Sequence, residues 1–116
     1  MDLDKAIAKH AEWKVKLRSA MSQKQNLNAA DIARDNCCDL GVWLHGPARH
    51  KLAALESYRN CVTSHATFHV QAGRVATAIN AGRYTDADAM LGAESPYARA
   101  SNEVVMAIRR LKKEVV

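Results

Sequence analysis

Apolar residues recur at steps of three and four along nearly the whole chain, and the breaks between stripes are few. Leu3, Ala6, Ile7, His10, Trp13, Leu17, Ala20 and Met21 share one face and predict a first amphipathic helix. His10 stands in the middle of that face. The polar run from Ser22 to Asn26 either ends the helix or continues it, since no Gly or Pro decides. A second helix is expected from Asn28 as N-cap, with Asp31 near its positive end. It carries Ile32, the Cys37–Cys38 pair, Leu40 and Trp43, and stops at Gly46–Pro47. A short helical piece from Ala48 to Leu55 follows, with Pro47 suited to its first position.

The third helix has the cleanest pattern. Tyr58, Cys61, Val62, His65, Phe68, His69, Ala72, Val75, Ala76 and Ile79 form one stripe, which ends at Gly82 as a C′ residue. Thr85, Asp86 and Asp88 open a short segment reaching Leu91. Ser95–Pro96 then reads as N-cap and first residue of a last helix, whose stripe is Tyr97, Ser101, Val104, Ile108, Leu111 and Val115. The expected architecture is all-α: an antiparallel four-helix bundle with a short extra helix, formed by residues 1–116 as a single domain.

Composition sharpens this picture. Alanine occurs 21 times against six aromatic residues, a balance that favours helices over a β-sandwich or barrel. No apolar run approaches the roughly 20 residues of a membrane span, and the start Met-Asp-Leu-Asp-Lys lacks a signal-peptide layout. A cytoplasmic protein without membrane insertion is expected. The net charge of +5 collects partly in Arg109, Arg110, Lys112 and Lys113, where it complements a helix C-terminus. Those cations are not interleaved with stacking aromatics, so no nucleic-acid partner is expected. Three cysteines make an odd number, and reduced thiols open to metal or redox chemistry are the expectation.

Three histidines on core stripes are costly unless each finds a partner. His65 and His69 are one helical turn apart and can serve one ion. Imidazoles with one thiolate suit tetrahedral Zn²⁺. A di-iron site would need carboxylates paired as Glu-x-x-His, and no histidine here is so preceded. A haem pocket is too large for an alanine-rich bundle of this size. The residues alone leave the thiol open. Cys61 lies one turn before His65, but a buried free cysteine is commonly a small hydrophobe. Cys37 and Cys38 would point about 100° apart on a helix, so at most one of them faces the metal.

Cys38-Asp-Leu40-Gly41-Val-Trp43, the downstream His65-Ala-Thr-Phe68-His69 and the upstream His10-Ala-Glu-Trp13 together resemble the chemoreceptor zinc-binding domain. The resemblance covers nearly the whole chain. It implies a zinc site of His10, Cys38, His65 and His69 in the bundle core, with Cys37 and Cys61 outside it and His45 and His50 as surface or turn residues. His45 and Gly46–Pro47 depart from the family's usual loop. Gly41 would let a neighbouring helix approach the cysteine closely, and Trp13, Trp43 and Phe68 would pack around the metal.

The resemblance further implies a regulatory, non-enzymatic zinc module. Its partner would be a chemoreceptor signalling region or a diguanylate cyclase-type effector, and it would form a homodimer. The chain shows no Ser/His/Asp set, phosphate loop or acid–base carboxylate pair. Two alternatives share the same residues. One is a thiol sensor for oxidants such as hypochlorous acid through the zinc-bound cysteine; the other is a zinc ion that only staples the fold.

Overall fold

A computed structural model describes residues 1–115. Seven helices follow in order among them: α1 (Leu3–Ser22), α2 (Ala29–Ala33), α3 (Asp39–His45), α4 (Pro47–Leu52), α5 (Glu56–Asn80), α6 (Tyr84–Met90) and α7 (Pro96–Val115). The long helices are α1, α5 and α7. Cross-links fix their directions. Lys112 donates to Asp4 at 2.7 Å, so the end of α7 lies beside the start of α1, and Arg18 donates to Asp88 at 2.8 Å, tying the end of α1 to α6. Ser57, at the start of α5, bonds Glu114 near the end of α7. Asn80, at the end of α5, clasps the Leu27 backbone with two bonds of 2.7 Å. Hence α1 and α5 run parallel as diagonal members, while α7 runs against both. The pieces α2, α3 and α4 together occupy the second position of an up-down-up-down bundle, and α6 is the short extra helix.

The helix boundaries follow local chemistry. Asp2 caps α1 by accepting the Lys5 amide at 3.0 Å. Lys24 takes the left-handed conformation (φ 54°) that ends α1, so the polar run after Ser22 terminates the helix without a glycine. Gly82 does the same for α5 at φ 75°. Ser95 Oγ accepts the Ala98 amide at 3.1 Å and starts α7 where Ser-Pro predicts it.

One element differs from expectation. The second helix is not continuous from Asn28 to Gly46, because residues 34–38 leave the helix. Arg34 and Cys38 are extended (ψ 132° and 163°). The polar pair Asp35–Asn36 falls in this break, and such side chains compete with helical backbone bonds. Cys37 and Cys38 therefore lie in a turn, and their angular separation on a helix does not apply.

The core runs the length of the bundle. Leu17, Leu44, Phe68, Val75, Val104, Ile108 and Leu111 are fully buried. Tyr58 adds a polar tie by donating its hydroxyl to the Leu44 carbonyl at 2.5 Å. No helix among the described residues is long and apolar enough to cross a membrane.

Candidate metal centre

Three elements deliver the cluster. His10 comes from the middle of α1, His65 and His69 from successive turns of α5, and Cys38 from the N-cap position of α3. Their four donor atoms lie within 4.8 Å of one another. His65 Nε2 is 3.1 Å from His10 Nε2 and 3.0 Å from His69 Nε2. Cys38 Sγ is 3.2 Å from His65 Nε2 and 3.6 Å from His69 Nε2.

These four separations are close to the edges of a zinc shell, and the remaining two, from His10 to His69 and to Cys38, are within 4.8 Å. Bonds of about 2.05 Å to nitrogen and 2.3 Å to sulfur give tetrahedral edges of about 3.3 Å (N–N) and 3.6 Å (N–S). The backbone has also set the imidazoles for the task. His10 Nδ1 donates to the Ala6 carbonyl at 2.7 Å, and His69 Nδ1 donates to the Ile32 carbonyl at 2.8 Å. Each Nε2 is thereby left with its lone pair facing the cluster. His65 Nδ1 is buried without a partner.

Electrostatics keep the metal-free donors neutral. Burial pushes His65 down to about 2, helped by the neighbouring His69 and His10. Burial also lowers His10 and His69, with the Ala6 and Ile32 carbonyls opposing in part. The Cys38 thiol is raised by burial, against the Gly41 amide hydrogen bond. Neutral imidazoles are ready ligands, and only the thiol must shed a proton for the set to bind a cation.

The surroundings sort the remaining expectations. Phe68 is fully buried with its ring edge-on to His10 and His69, centroids 5.3 and 5.5 Å away. Trp13 is half-buried at the rim, and Trp43 is half-buried against the hydrophobic core. Cys61 is sealed in that core with its thiol raised to about 12, and Cys37 is exposed. Neither joins the cluster. His45 is exposed and bonds Asp35 at 2.8 Å, bracing the turn that carries Cys38; His50 is exposed.

Gly41 serves a different neighbour from the expected one. A Cβ there would collide with the Asp35 carbonyl of the preceding turn, not with another helix. The sequence reading missed Gly73 and the two carbonyl acceptors. A Cβ at Gly73 would stand 2.6 Å from Ala33 Cβ, so this glycine is what lets α2 lie on α5 and bring the Ile32 carbonyl to His69. A glycine one turn after His69 on the same stripe was the available signal.

Fold and cluster together define a small helical bundle whose core gathers three histidines and one cysteine in an arrangement suited to a metal ion. Residues 10–76 match the family model of the chemoreceptor zinc-binding domain, a span that includes all four cluster residues. The chain belongs to that family, and its cofactor is zinc. No curated protein and no solved structure matches the chain.

Proposed function

We propose that this domain is a sensory module that holds zinc with His10, Cys38, His65 and His69. It passes its metal state, as a change in helix packing, to a chemoreceptor signalling region or a diguanylate cyclase-type effector. The observation that carries this reading is the convergence of four donors from α1, the α2–α3 turn and α5. Four protein donors complete a tetrahedral shell, so we assign the metal no hydrolytic role and the module no enzymatic activity. Bound zinc supplies the charge that gathers the four side chains. The protein's part is to orient them: Ala6 and Ile32 fix two imidazoles, and the Gly41 amide steadies Cys38.

We read residues 1–116 as one regulatory unit acting in the cytoplasm as a homodimer. A switch is favoured over a purely structural zinc because the buried core extends far beyond the cluster, from Leu17 to Ile79 and Leu111. Such a core holds the long helices together when the metal leaves, while α2, which has no buried residue and reaches the cluster through the Ile32 carbonyl, is the element placed to respond.

Hydrogen exchange on zinc-loaded and zinc-stripped protein tests this. Retained helicity, with faster exchange confined mainly to residues 29–45, is the expected result. Wholesale unfolding on stripping would mean a structural zinc instead. The half-buried position of Cys38 supports a second reading, in which hypochlorous acid or a similar oxidant attacks its sulfur and loosens the metal. Zinc retained after mild oxidation of Cys38 would remove that reading.

A further inference from the structure

A cleft of about 510 Å³ opens between α1 and the start of α3, and Cys38 and His10 form part of its wall. It reaches the exposed edge of the metal centre, since Cys38 is half-buried whereas His65 and His69 are 0 % and 2 % exposed. Three lysines of α1 line it: Lys5, Lys9 and Lys16. The wall also holds two carboxylates, which leave the three lysines in excess. Asp2 caps α1 by accepting the Lys5 amide, and Asp39 accepts Lys9 Nζ at 3.0 Å. None of the ion pairs among the described residues includes Lys5 or Lys16. Lys16 instead lies 5.1 Å above the ring of Trp13, which is also part of the wall.

A hydrated divalent cation is repelled by such a rim, and a small polyanion is drawn to it. A centre closed on its other sides exchanges its ion where an incoming donor can reach a ligand, and here that ligand is Cys38. We propose that this cleft is the exchange site of the metal centre. It docks a small anionic chelator of the polycarboxylate or carboxylate–thiol class, which takes zinc from the Cys38 edge or delivers it there. The inference rests on the assignment of His10, Cys38, His65 and His69 as ligands. In withdrawal the chelator's donor atoms would replace the four protein ligands in turn, Cys38 Sγ first; the freed thiolate would take a proton from water and the three imidazoles would leave as neutral groups. No electron changes hands. Lys5 and Lys16 draw the chelator's carboxylates toward the cleft.

The test is stopped-flow zinc withdrawal from the full zinc-loaded chain, with nitrilotriacetate as the anionic probe and 1,10-phenanthroline as the uncharged one. The proteins compared are the unaltered chain, Lys5→Glu/Lys16→Glu and the milder Lys5→Gln/Lys16→Gln. Zinc stoichiometry is measured on each beforehand. Nitrilotriacetate should act about tenfold more slowly on the Glu pair at low ionic strength, with the Gln pair between and the gap closing toward about 0.5 M salt. Phenanthroline rates should agree within about twofold across the three proteins, because an uncharged probe does not feel the lysines. Equal nitrilotriacetate rates, or equal slowing of both probes, would overturn the exchange site and leave the ligand assignment standing. An unaltered chain without stoichiometric zinc would overturn the assignment itself.

Discussion

The three cluster imidazoles are not equivalent. His10 and His69 each give Nδ1–H to a backbone carbonyl, which fixes the tautomer and strengthens Nε2 as a donor. His65 is the most deeply buried, lacks that support, and is pushed furthest from protonation. A pH dependence follows for the zinc-free protein. All three folded imidazoles titrate below the ordinary value near 6.5, so as pH falls past that value the unfolded chain takes up protons that the folded one does not. Stability is therefore full above about pH 6.5 and falls below it, by up to about 1.4 kcal/mol per histidine for each pH unit. Denaturant titrations of stripped protein between about pH 7.5 and 5.5 check this; a flat stability across that window would mean the imidazoles are not buried as described.

Among the elements, α2 is short and yet couples the bundle to the metal centre. It contributes no buried residue, and its hold on α5 depends on Gly73 facing Ala33 and on the Asn80 clasp of Leu27 just before it. Gly73→Val should lift α2, withdraw the Ile32 carbonyl from His69, and weaken zinc binding by about tenfold while the long helices persist. Competition against a zinc dye, with circular dichroism on the same samples, reads both effects. Unchanged affinity in a folded Gly73→Val protein would show that the Ile32 carbonyl does not steady His69. This element was also the least legible in the sequence. Long stripes such as Tyr58 to Ile79 declare themselves through repeated spacing, and Ser95–Pro96 and Gly82 mark ends by backbone chemistry that any reader of the sequence can use. The break over residues 34–38 carries no glycine or proline, and its only local signal is the polar pair Asp35–Asn36. That it brings Cys38 beside three histidines of other elements is a tertiary outcome, which a single stretch of sequence does not display.

For the whole molecule, the up-down-up-down arrangement explains why His10 meets His65 and His69. The helices α1 and α5 are diagonal across the bundle, so side chains on their inner stripes point at its centre, and the broken second strut supplies the thiol from the side. Three of the four cluster residues were visible as polar positions on apolar stripes. The choice of Cys38 over Cys61 came from the family motif and not from helical geometry, which gave Cys61 an equal claim. The structure separates the two by putting Cys61 in the hydrophobic core and Cys38 Sγ 3.2 Å from His65 Nε2. The central claim is that Cys38 and the three histidines hold one zinc ion. Native mass spectrometry with elemental analysis, on the unaltered chain and on Cys38→Ala, tests it most directly. About one zinc per chain, lost or much weakened in Cys38→Ala, is the predicted result. No zinc in the unaltered chain, or zinc held equally by both proteins, would contradict it.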